Sequence, residues 1–147
     1  MKKKYLINKL STKNIKKIKN SKGNIYKILS NKDKFFDGFG DCYLSEINPY
    51  QIKAWRFHKK TTQKLFIISG KCKVVVLLEK KFYQKYLTDK KNNIFIIPNK
   101  HWYGFKNTGA KKVRLLNITN KAYSEKEILR KNKNEIDYDW KKKTKNN

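Results

Sequence analysis

Arginine and histidine are rare in this chain, and one of each falls two residues apart: Arg56 and His58, within IKAWRFHKKTTQKLFIISG (52–70). Histidine is the side chain whose ordinary pKa lies near neutrality, so His58 suits the work of a base that takes a proton and returns it. Arg56 stays protonated at any working pH, which makes it a poor base but a good partner for an enolate or a phosphate. Residues two apart on a strand share a face. Arg56 and His58 are therefore expected to look into one space, and Trp55 and Phe57 into the opposite layer. Gln63, Tyr103, Asn107 and Asn117 add donors, acceptors and a stacking ring to the candidate site. The second histidine, His101, lies beside Trp102 just after Pro98, where a structural or contact role in a loop is expected.

The elements that must position these residues are short and strand-like. NIYKILS (24–30), DCYLSEI (41–47), 83–87, 93–97, 103–105 and 113–118 alternate or concentrate apolar residues in the manner of strands. Turn residues separate them at Asn48 and Pro49, at 89–92, at 98–100 and at 107–110. Residues 63–69 and 71–79 are apolar runs joined at Gly70, which reads as a hairpin with glycine supplying a positive φ. Close, regular spacing of short strands indicates an antiparallel barrel or sandwich and not βαβ units. After Ser124, the run SEKEILRK predicts a short C-terminal helix with a serine cap, followed by DYDW (137–140) and a lysine- and asparagine-rich tail expected to be disordered. Three segments follow: a basic leader or edge strand over 1–22, the β domain over 23–123, and the short helix and tail over 124–147.

The chain has 147 residues, the size of a single domain with one core. Its formal net charge of +27 invites a nucleic-acid partner. The distribution argues against one, because lysine is spread through nearly every segment while only three arginines occur, and phosphate and base recognition usually recruits arginine. A basic nucleic-acid-binding domain with Tyr43, Trp55 and Trp102 as stacking platforms is the third-ranked reading. Such a field would nonetheless attract a small polyanion such as a nucleoside diphosphate. No window approaches the ~18 apolar residues of a membrane span, and the basic start lacks the apolar run of a secretory signal. A cytoplasmic protein is expected, without a membrane partner. Cys42 and Cys72, without a CxxC, read as buried small hydrophobes.

Segment 52–70 keeps the spacing of a cupin barrel's first motif, and Pro98, Tyr103 and Asn107 keep that of the second. Of four metal-ligand positions, held here by Arg56, His58, Gln63 and Tyr103, only His58 retains a ligand, so neither a metal nor a cofactor is expected. FGDCYLSEI, KAWRFHKKTTQKLFIISGKCKVVV, IPNKHWYGFKN, LLNITN and YDW resemble the dTDP-4-dehydrorhamnose 3,5-epimerase family of cupins. His58, Lys59, Lys60, Gln63 and Gly70 also resemble the related nucleotide-sugar 3,4-ketoisomerases. The resemblance implies an antiparallel jelly-roll barrel, a homodimer, and a nucleoside-diphosphate sugar, often a 4-keto hexose, as ligand in surface-polysaccharide synthesis.

Such epimerases use a histidine base, a lysine at the enolate and a tyrosine acid. Aligned on Gly70, these fall at Arg56, at Gln63 and near Leu116 or Asn117, so none of the three matches. Two readings precede the nucleic-acid one. In the first, a diverged isomerase or epimerase uses His58 as base, with Arg56 stabilising an enolate or holding phosphates. In the second, Arg56, His58, Gln63, Tyr103, Asn107 and Asn117 bind a sugar nucleotide without turnover.

Overall fold

A computed structural model describes residues 9–143. The described residues form twelve short strands: β1 (Ser11–Asn14), β2 (Lys16–Ile18), β3 (Ile25–Lys27), β4 (Cys42–Ile47), β5 (Ile52–His58), β6 (Gln63–Ser69), β7 (Lys71–Leu78), β8 (Lys81–Thr88), β9 (Asn93–Ile97), β10 (Trp102–Asn107), β11 (Val113–Thr119) and β12 (Ile128–Arg130). They build two five-stranded antiparallel sheets, in the orders β1-β9-β6-β11-β4 and β12-β5-β10-β7-β8, beside a small β2-β3 ribbon. This is the all-β jelly roll that the cupin spacing implies. β1 is an edge strand paired with β9; the first eight residues lie outside the described residues, as do the last four of the tail.

Between the sheets lies the main core, built from Ile47, Leu65, Ile67, Val74, Val76, Phe95, Ile97, Val113 and Leu115 among others. A second apolar cluster covers the outer face of the β5 sheet: Trp55, Val75, Ile136 and Trp140, with Phe82 and Tyr138 packed on them. β7 explains why its sequence does not alternate. Val74 and Val76 face the barrel while Val75 faces the outer cluster, so both faces are buried and both select apolar residues. The strap that carries Ile136 and Trp140 is fastened by Lys73, whose Nζ donates to the Trp140 carbonyl at 3.0 Å and the Lys142 carbonyl at 2.7 Å. Burial away from water pulls the Lys73 pKa down to about 8. Gly104 admits the strap, since a Cβ there would stand 2.7 Å from the Ala54 Cβ and 3.0 Å from the Trp140 ring.

Three expectations are corrected. The run SEKEILRK is not a helix: Glu125–Glu127 make one 3-10 turn, Ser124 makes no side-chain cap, and Ile128–Arg130 join the edge of the second sheet. Pairing with β5 supplies more hydrogen bonds and more burial than an isolated two-turn helix would keep. The runs meeting at Gly70 are not a hairpin, for β6 and β7 belong to opposite sheets. Gly70 does take a positive φ of 96°, but there it turns the chain from one sheet into the other, its amide donating to Asp89 at 2.9 Å. Of the cysteines, Cys72 is buried as expected, whereas Cys42 is exposed on β4. Among the described residues no helix is long and apolar enough to cross a membrane.

Candidate active site

β5 carries the site, and a bulge in it decides which side chains face inward. Tyr103 of β10 pairs with Arg56, but the next residue, Gly104, pairs with Ala54, so Trp55 is an extra residue in β5. A bulge of this kind resets the alternation of a strand. Arg56 and His58 face the barrel interior, as their spacing predicts, with Trp55 and Phe57 on the outside. Lys53 rejoins the inward set on the far side of the bulge, three residues from Arg56, and lines the same cavity.

His58 is buried, at 7% exposure, and held at both ring nitrogens. Its Nδ1 lies 2.6 Å from Glu127 Oε1, and its Nε2 lies 3.0 Å from the Tyr103 hydroxyl. The protons in this chain follow from the groups themselves. Burial opposes the charge on Glu127, but hydrogen bonds from His58, the Lys60 amide and the Thr61 hydroxyl hold its pKa below the ordinary value. Glu127 is thus an ionised acceptor, and Nδ1 must carry the proton between them. Burial lowers the His58 pKa despite that carboxylate, leaving the ring neutral near neutral pH. Nε2 then has a lone pair, and the Tyr103 hydroxyl donates to it. Burial raises the Tyr103 pKa, so the phenol keeps its proton to donate.

Beside this chain, a cavity of about 60 Å³ opens between the sheets, lined by Tyr43, Ser45, Lys53, Arg56, Leu65, Tyr103, Phe105, Leu115 and Asn117. Lys53 and Arg56 make it cationic, and burial first, then the Arg56 charge, lowers the Lys53 pKa. Both residues also line a larger cleft of about 420 Å³, together with Arg130, Lys131 and Glu135. Deeper in the barrel, Asn117 Nδ2 donates to Gln63 Oε1 at 2.5 Å and to the Tyr43 hydroxyl at 2.7 Å. Gln63 Nε2 and Asn117 Oδ1 are buried without partners. Turning both amides over exchanges the atoms but still leaves one donor and one acceptor free. Buried polar groups are seldom left so, and a group that donates and accepts at once would satisfy both.

The structure therefore brings together five of the six residues singled out from sequence: Arg56, His58, Gln63, Tyr103 and Asn117. Asn107 is not among them. Its amide donates to the Ile47 and Lys111 carbonyls at 2.9 and 2.7 Å, and its oxygen accepts from the Gly109 amide at 2.9 Å. All its capacity near the turn is used, so Asn107 shapes the β10–β11 connection and has no part in the site. His101 bonds the Pro98 and Asn99 carbonyls, as a loop residue would. Sequence reasoning missed Glu127, Lys53 and Tyr43 as site residues. Glu127 was discoverable in principle, because acids are scarce in so basic a chain and a buried histidine calls for a partner.

Comparison with known proteins agrees with the barrel. The family model described as "FdtA: WxcM-like, C-terminal" matches residues 8–140. The chain belongs to that family. Among curated proteins no sequence matches this family member. Among solved structures it is similar to a dTDP sugar isomerase from Desulfovibrio desulfuricans G20, at 25% identity and TM-score 0.83, with 94% of each chain covered. It also shares the fold of QdtA, a sugar 3,4-ketoisomerase from Thermoanaerobacterium thermosaccharolyticum solved with TDP, at 20% identity and TM-score 0.73 over 83% of this chain and 88% of that one. The dTDP-4-dehydrorhamnose 3,5-epimerase of Elizabethkingia anophelis NUHP1 has the fold too, at 15% identity and TM-score 0.74 over 93% and 88% of the two chains. The structural relatives of this WxcM-like chain are thus sugar-nucleotide isomerases and epimerases.

Proposed function

We propose that this chain is an isomerase or epimerase acting on a nucleoside-diphosphate 4-keto-deoxyhexose, by proton transfer at a carbon beside the ketone, without a metal or a cofactor. The observation that carries this reading is the buried Glu127–His58–Tyr103 chain ending at a cationic cavity. A protein that only bound a sugar nucleotide would need donors and a stacking surface, but no ionised carboxylate fixing the tautomer of a buried histidine. A carbon acid next to a ketone needs a base of near-neutral pKa and a positive group at the oxygen where charge collects. His58 supplies the first and Arg56, with Lys53, the second. As the C–H pair becomes the enolate double bond and the carbonyl pair moves to oxygen, the proton ends on His58, and Glu127 offsets the imidazolium charge.

The sizes of the two cavities divide the ligand between them. The small one accepts only the reacting edge of the sugar, beside Asn117, while the larger cleft, with Arg130 and Lys131, takes the diphosphate. Assembly as a homodimer, a cytoplasmic setting and a place in surface-polysaccharide synthesis are proposed with it on the sequence reading.

The test is NMR of the protein with a dTDP-4-keto-6-deoxyhexose in deuterated water. Deuterium should enter beside the ketone over hours, against a control without protein. A sugar that binds and exchanges no proton would make the chain a non-catalytic sugar-nucleotide binder.

A further inference from the structure

His58 is the natural base of this site, yet it does not line the cavity; Tyr103 does, and its hydroxyl lies 3.0 Å from His58 Nε2. Both ring nitrogens of His58 are occupied, one by Glu127 and one by Tyr103. The two rings lie nearly parallel, at 14° with centroids 5.9 Å apart, and Phe105 packs edge-on against Tyr103 at 5.5 Å. Tyr103 is paired with Arg56 across the strands at the bulge. It is thus held firmly where a ligand in the cavity meets it first.

We propose that Tyr103 is the group that exchanges the proton with the substrate, and that His58 acts through it as a positioning residue and proton reservoir. The proposal rests on the isomerase reading and goes beyond it by naming the atom that touches the sugar. In the forward step the Tyr103 oxygen takes the proton from the carbon beside the ketone as its own proton passes to His58 Nε2. The C–H electron pair becomes the enolate double bond, and the carbonyl pair moves onto oxygen beside Arg56. Tyr103 remains a neutral phenol throughout, and the charges created are an imidazolium paired with Glu127 and an enolate facing Arg56. Reversal of the relay returns a proton to carbon, and nothing outside the site is consumed. A phenol whose pKa is raised by burial is a poor base alone. Transfer of its proton in the same event removes that difficulty, because no phenolate forms.

The sequence offers no direct sign of this role, since Tyr103 occupies the position of a metal ligand in the second cupin motif and reads there as a stacking or hydrogen-bonding residue. What separates the two possibilities is the order of groups from cavity to carboxylate.

Tyr103→Phe removes one hydroxyl and leaves the ring packing intact. Deuterium incorporation into the 4-keto sugar should fall by about 100-fold or more, while affinity for the nucleotide sugar, measured by calorimetry on the same sample, stays within about threefold of wild type. His58→Gln should lower incorporation comparably and abolish any dependence of the residual rate on pH between 5 and 7, which a merely structural histidine would not do. Incorporation by Tyr103→Phe within about threefold of the wild-type rate would overturn the relay and place His58 directly against the carbon. Absence of incorporation in the wild-type protein itself would overturn both the relay and the isomerase reading. The two failures are therefore distinguishable.

Discussion

The two faces of β5 bury side chains for opposite purposes. Outside, Trp55 packs with Trp140 at 5.0 Å between ring centroids and with Tyr138 at 6.1 Å, in a cluster stabilised by area removed from water. Inside, His58 is buried, where burial works against charge and every gain comes from its partners Glu127 and Tyr103, while the more exposed Arg56 and Lys53 line the cavity beside it. A packing layer tolerates loose exchange of one apolar group for another at the level of fold. A polar layer loses its purpose when one hydrogen bond is broken, because the remaining groups are left buried and unpaired. The outer cluster anchors the strand so that the inner one is held in register.

If that division is right, mutations on the two faces should separate activity from stability. The largest effect is expected from His58→Gln, which should lower proton exchange by about 10²–10⁴-fold while sugar-nucleotide binding persists; equal losses of binding and exchange would break the comparison. Next comes Trp140→Ala on the outer face, predicted to cost about 3 kcal/mol of stability in denaturant titrations, with exchange near the wild-type rate at temperatures where the variant stays folded. A large drop in exchange at full folding would show that the strap belongs to the site. Asn107→Ala should have the smallest effect, about 1–2 kcal/mol of stability from three lost hydrogen bonds at an edge turn, and no change in exchange or affinity. A loss of affinity there would restore the binding role that the motif spacing suggested.

The same contrast governs what could be read from sequence. β6 and β9 appear with the bounds expected from their apolar runs, 63–69 and 93–97, since burial on both faces leaves a strong local signal. Arg56 and His58 share a face because they lie on the same side of the bulge. Lys53 was invisible to period-two reasoning, as Trp55 adds one residue to the strand and shifts everything before it. Glu127 was hidden by a different competition: SEKEILRK has helical propensity, and only the unpaired edge of β5, created by long-range folding, converts its end into a strand and swings the carboxylate onto His58. Asn107 was misassigned because a motif position fixes a residue's place on a strand and not whether neighbouring carbonyls already claim its amide. Gly70 needed a positive φ as anticipated, but local sequence does not say whether the chain after a turn pairs with the strand before it or crosses to another sheet.

The central claim is that a neutral His58, held by Glu127 and surrounded by Tyr103, Arg56 and Arg130, receives the proton of the reaction. The most direct test is the rate of deuterium incorporation into a dTDP-4-keto-6-deoxyhexose as a function of pH. Burial sets the His58 pKa below 6.5, so the account predicts a constant rate above that value and a fall, proportional to the protonated fraction, as the pH drops below it. Because the unfolded chain binds the extra proton more readily than the buried ring, stability should weaken in the same acid range, and rates must be taken where the fold is intact. A rate whose midpoint lies above 6.5, or one that does not fall at any acid pH at which the protein stays folded, would contradict the account.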